Sequence, residues 1–188
     1  MTGRVRLIVG LFIALIVVLN VGAAHADKRV ALVIGNSAYR NVPALANPKN
    51  DASDIAEKLK GMGFEVVLGE DLDLNGLRST IRQFAGALDG ADLALFFYAG
   101  HGLQVNGQNY IAPVDAKLAS AIDLDFEMVP MDLVLSAMER ATKTNLIFLD
   151  ACRDNPLAEN LARSMGTRSA AVGRGLAKIG SGVGSLIA

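Results

Sequence analysis

Four short, almost wholly apolar runs, residues 30–34, 64–68, 93–98 and 145–149, punctuate a chain whose intervening segments have helical period. Runs of this length without polar alternation fit strands covered on both faces rather than strands with one wet face. Between the first two, residues 50–62 place Ile55, Ala56, Leu59 and Met62 on one helical face, with Gly63 as the stop. Residues 75–88 repeat the pattern with Leu77, Ile81, Phe84 and Leu88, and residues 131–141 form a third such segment. A strand, a helix and a second strand in succession imply a parallel crossover. The expected fold is therefore an α/β three-layer sandwich on a mainly parallel sheet. Residues 103–111 depart from it, because Asn106-Gly107 between two short segments is a hairpin signal.

The two ends differ from this middle. Arg4 and Arg6 precede an apolar stretch over residues 7–21 that ends in Ala24-His25-Ala26, the pattern of a secretory signal peptide cleaved after Ala26. The alternative is an uncleaved inner-membrane anchor, since the stretch approaches the roughly 20 residues that span a bilayer. Cleavage leaves roughly 160 residues, enough for one domain. After Pro156 the composition turns to Ala, Gly, Ser and Arg, which suggests a mobile segment, and residues 185–188 look like the start of another strand. The expected division is a leader over 1–26, a main domain over 27–157 and a linker with a truncated continuation over 158–188. An edge left open there would favour a homo-oligomer or a separate C-terminal subunit. At 52 % hydrophobic, 20 % charged and a net charge of −1, the chain has no basic surface for nucleic acid, and it meets a membrane only if residues 1–26 are retained.

Chemistry concentrates at two points. The chain has one cysteine, Cys152, and two histidines, of which cleavage after Ala26 would remove His25 and leave His101. Each survivor follows an apolar run, so both belong at the carboxyl ends of strands, where open α/β sheets gather their working residues. One Cys and one His cannot build a zinc shell, and a lone thiol forms no internal disulfide. An imidazole beside a thiol lowers the thiol pKa and stands ready to protonate a leaving group. Gly100 and Gly102 leave room for a substrate backbone, and the amides of Gly102 and Cys152 are candidate oxyanion donors. Cysteine is also among the most buried residue types, so either residue alone would more simply be a packing residue.

The segments Tyr98-Ala99-Gly100-His101-Gly102 and Asp150-Ala151-Cys152-Arg153 together resemble the caspase-like cysteine peptidases, and more closely their bacterial, metacaspase-type branch. The order and the separation of about 50 residues match that family. The run Ala31-Leu32-Val33-Ile34-Gly35-Asn36 and the helix start Asn50-Asp51-Ala52 are similar to it too, so the resemblance covers roughly residues 28–157. It implies an endopeptidase, exported if the leader is cleaved, with His101 as general acid/base, Cys152 as nucleophile, and Gly102 with Cys152 as the oxyanion hole. Asp150 stands where animal caspases carry glutamine. A carboxylate there implies a substrate pocket for Arg or Lys rather than Asp, or else a capped loop beside Cys152. Asp51 is open to the same two readings, with the helix terminus favoured.

No cofactor is expected. Calcium is conceivable, because some metacaspase-like enzymes need it, but Asp115, Asp123, Asp125, Glu127 and Asp132 match no EF-hand spacing. Arg163, Arg168, Arg174 and Lys178 are candidate autocleavage sites in the family's inter-subunit region. Three function classes remain: a cysteine endopeptidase acting on a peptide or protein substrate, a non-catalytic caspase-like module that binds a partner, and a small acyl hydrolase on a similar sheet.

Overall fold

A computed structural model of the chain describes residues 27–151, 155–166, 172–173, 176–177 and 185–187. The leader over 1–26, Cys152 with Arg153, and Arg168, Arg174 and Lys178 lie outside the described residues. Strand β1 (Arg29–Gly35) leads into α1 (Pro48–Gly61), β2 (Glu65–Glu70), α2 (Leu74–Ala87) and β3 (Leu93–Gly100). A hairpin follows, β4 (Gly102–Val105) and β5 (Gln108–Ile111). Then come α3 (Asp123–Glu127), β6 (Val129–Pro130), α4 (Asp132–Ala141), β7 (Thr144–Ala151), α5 (Pro156–Met165), β8 (Val172–Gly173) and β9 (Ser185–Ile187).

The main sheet has the order β2-β1-β3-β7-β9, and all four of its pairings are parallel. Because side chains alternate across a strand, it buries two different faces. Leu32, Ile34, Phe96, Tyr98 and Ile147 pack with Leu77, Ile81 and Phe84 of α2 and with Val134 and Met138 of α4. Ala31, Val33 and Leu95 pack on the other face with Ala52, Ala56 and Leu59 of α1. This is the sandwich expected from the apolar runs. Among the described residues no helix is long and apolar enough to cross a membrane.

The hairpin turn forms where Asn106-Gly107 indicated, with φ of 52° and 81° at the two positions, the left-handed pair that a two-residue turn requires. Its strands do not join the main sheet. They form a second, antiparallel sheet of order β6-β5-β4-β8, with its own core of Leu103, Tyr110, Leu118 and Met128 against Leu157 and Leu161 of α5. Helix α5 occupies part of the stretch that composition assigned to a mobile segment. Its apolar positions are few but fall on one side, and Asn155 caps it by accepting from the Leu157 N–H at 3.0 Å.

Gly35 marks a close approach of helix and sheet. A Cβ there would lie 2.3 Å from the Pro48 carbonyl oxygen and 2.6 Å from Ala52 Cβ, whereas one at Gly61 would meet nothing within 4 Å. Gly35→Ala is expected to destabilise the chain by about 1–3 kcal/mol, and Gly61→Ala to stabilise it by about 0.5–1 kcal/mol. Paired urea denaturation curves check both.

Candidate active site

The main sheet hands the chain to the smaller one at His101. Strand β3 ends at Gly100, whose φ of 152° suits glycine, and β4 begins at Gly102. His101 sits between them at 2 % exposure. Both faces of its backbone are held: the His101 N–H donates to the Tyr39 hydroxyl at 2.7 Å, and the Tyr98 hydroxyl donates to the His101 carbonyl at 2.6 Å. The Ala112 N–H donates to the same carbonyl at 3.0 Å. The imidazole lies 4.5 Å from the Tyr39 ring, tilted by 50°.

Among the described residues neither ring nitrogen of His101 has a hydrogen-bond partner. Burial pushes the imidazole below its ordinary pKa, and the Pro43 backbone carbonyl opposes that shift without reaching hydrogen-bond geometry. A neutral imidazole with an unused nitrogen can accept a proton from a thiol.

Gly102 is equipped on its outer edge. The pairing of Ala112 with His101 and the two-residue hairpin both make Gly102 and Ile111 a pair that exchanges no ladder bonds. The Gly102 peptide groups therefore point away from β5. Its carbonyl accepts from Asn155 Nδ2 at 2.9 Å, which shows the direction in which its N–H also faces.

Cys152 lies outside the described residues, but the chain on either side of it is placed. Ala151 pairs with Gly100 in the β3–β7 ladder, and buried Asn155 is tied to Gly102. The two neighbours of His101 are thus the two anchors of the segment that carries the cysteine. Asp150 pairs with Ala99, is exposed, and falls on the α1 face by alternation with Leu146 and Phe148. Asp51 is half-buried in the first turn of α1, on the same face and at the same end of the sheet, with β3 between the strands concerned.

Three of the other candidate carboxylates serve the backbone. Asp115 accepts from the Leu74 N–H, Glu127 from those of Lys117 and Leu118, and Asp123 from that of Ser120. Among the described residues no group of three or more His, Cys, Asp or Glu side chains is gathered for a metal ion. A groove of about 780 Å³ lies at the amino ends of the strands, between α1 and the exposed halves of β3 and β7. Its walls include Leu93, Phe97, Leu146 and Phe148, and it is a surface separate from the carboxyl end of the sheet where His101 sits.

Residues 28–178 match the family model for the caspase domain. The chain belongs to the caspase-domain family. Within it, the sequence is 32 % identical over 128 residues to human mucosa-associated lymphoid tissue lymphoma translocation protein 1, a match covering 68 % of this chain and 15 % of that protein. The mouse homologue is 30 % identical over 132 residues, covering 70 % and 16 %. The chain thus spans less than a fifth of these relatives' length. The solved structure of GSU0716 from Geobacter sulfurreducens superimposes with a TM-score of 0.53 at 20 % identity, covering 71 % of this chain and 53 % of that one, and shows the shared fold.

Sequence patterns did not single out Tyr39 or Asn155 as parts of this caspase-domain site, because their contacts to His101 and Gly102 join segments far apart in the chain. Tyr98 lies within the motif before His101, and only the fold shows its hydroxyl on the His101 carbonyl. Asn155→Ala removes the cap of α5 and the tie to Gly102, and is expected to cost about 2 kcal/mol, read by urea denaturation. The depressed His101 pKa has a sign that can be tested in a Cys152→Ala background, free of any thiolate. The unfolded chain binds the proton more readily than the folded one. Stability is therefore full above about pH 6.5 and falls as pH drops toward the folded-state value. Melting temperatures between pH 7.5 and 5 should drop more in Cys152→Ala than in Cys152→Ala/His101→Gln.

Proposed function

We propose that this caspase domain is a cysteine endopeptidase in which His101 and Cys152 form the catalytic dyad. The observation that carries this reading is that the two residues flanking positions 152–154 are tied on either side of a buried imidazole, Ala151 to Gly100 and Asn155 to Gly102, and that among the described residues the nitrogens of that imidazole have no hydrogen-bond partner. In the proposed reaction the Cys152 Sγ attacks the scissile carbonyl carbon while His101 takes the thiol proton. His101 then delivers that proton to the leaving amine as the C–N bond breaks, leaving a thioester. A water molecule, deprotonated by His101, hydrolyses the thioester and restores the thiol. The outward Gly102 N–H, with that of Cys152, is the proposed donor pair for the oxyanion.

Asp150, exposed at the carboxyl end of β7, supports preference for Arg or Lys on the amino side of the cut bond, with Asp51 on the same face in support. Arg163 is a poor autocleavage site while it sits inside α5, since a protease needs an extended strand of substrate. The pattern in residues 1–26 supports export with cleavage after Ala26.

Fluorogenic peptides ending in Arg, Lys or Asp test the proposal. Cleavage after Arg or Lys is expected, falling to background in Cys152→Ala and His101→Ala. Asp150→Ala should lower kcat/KM for these peptides by about tenfold or more. A folded chain that cleaves none of them would sink the reading in favour of a partner-binding module.

A further inference from the structure

The loop between β1 and α1 brings Tyr39 against His101 from 62 positions earlier in the chain. Tyr39 is 7 % exposed and meets its neighbour twice, through the hydroxyl that accepts the His101 N–H and through the ring 4.5 Å from the imidazole. From the other side, fully buried Tyr98 holds the His101 carbonyl. The two phenols converge on Gly100, where a Cβ would stand 2.7 Å from the Tyr39 hydroxyl and 2.8 Å from that of Tyr98. Any other residue at Gly100 would force both hydroxyls away.

We propose that Tyr39 is a positioning residue for His101, its hydroxyl fixing the main chain and its ring setting the face against which the imidazole packs. The inference rests on the peptidase reading for its consequence in catalysis, though its geometry stands apart from that reading. Among the described residues neither ring nitrogen is hydrogen-bonded, so the tilted Tyr39 ring, with the Pro43 carbonyl nearby, is a contact placed to limit the rotation of the imidazole. A displacement of about 1 Å in a catalytic group is enough to cost about 100-fold in rate.

The experiment uses the full chain carrying His25→Gln, which leaves His101 as the sole imidazole. Histidine-labelled NMR spectra, together with kcat and KM for an Arg-ending peptide, are compared among the parent, Tyr39→Phe and Tyr39→Leu. Tyr39→Phe keeps the ring and loses the acceptor: the His101 amide resonance should move, the imidazole resonances should stay, and kcat should fall about tenfold with KM little changed. Tyr39→Leu should shift the imidazole resonances as the ring current is lost and lower kcat about 100-fold, again with little effect on KM. A residue that only fills space would lower the melting temperature and leave kcat of the folded fraction at its parent value, since the lost ring current moves the imidazole resonances in either case. That result in Tyr39→Leu overturns the proposal. If Tyr39→Leu does not fold, the near-isosteric Tyr39→Phe decides, and an unmoved His101 amide with unchanged kcat overturns it. A parent without Cys152-dependent cleavage would refute the peptidase reading, while the His101 amide resonance in Tyr39→Phe would still decide whether the Tyr39 hydroxyl fixes the His101 main chain.

Discussion

The parallel ladder between β3 and β7 is the constraint on which the rest of the site depends. Its register runs unbroken from Leu93 beside Thr144 to Gly100 beside Ala151. Because both strands run the same way, their carboxyl ends emerge at one level, with Gly100, just before His101, beside Ala151. A slip of one residue would turn Phe96 and Tyr98 out of one core and Leu95 into it, so burial on both faces fixes the register strongly. The site inherits its precision from that packing.

Beyond the ends of the strands the apolar core gives way to a buried polar lattice. Asn36, fully buried, donates from its backbone to the Ala99 carbonyl and from its side chain to that of Ala112, and accepts from the Leu72 N–H. One side chain thereby ties the ends of β1 and β3 to the segments following β2 and β5. Tyr98 and Asn155 do the same for His101 and Gly102. Buried polar groups are costly unless satisfied, and in these three they are satisfied by backbone, from distant segments for Asn36 and Asn155 and from the following turn for Tyr98. The imidazole of His101 contrasts with them, a buried ring whose nitrogens are left available among the described residues. Asp71 adds an outer tie: burial works to raise its carboxyl, and the amides of Ala38 and Ser37 with Lys49 outweigh it and hold it below the usual carboxylate range.

Much of the main sheet was legible from local pattern. The apolar runs became β1, β2, β3 and β7, the three amphipathic segments became α1, α2 and α4, and Asn106-Gly107 made its turn. Strand β3 runs two residues past the expected end because Ala99 and Gly100 carry no apolar signal, yet have partners in β7. Beyond its hairpin, the second sheet was not legible. Its strands are short, β6 and β8 have two residues each, and such pieces become strands only when a partner edge is present. Helix α5 was hidden by the small residues around it, and its apolar face gains meaning only against the core of the hairpin.

By itself the sequence determined the alternation of strand and helix, the two faces of the sheet, and the presence of one His and one Cys motif after core strands, since each follows from residue type and period within a short window. The tertiary structure alone decided that Gly100 meets Ala151, that Asn155 reaches Gly102, and that Tyr39 closes over His101. Those relations span 50 residues or so, and the physical reason is that no local propensity encodes them. They exist because the register of a buried parallel sheet brings distant backbone groups together, and because those groups, once out of water, must find partners.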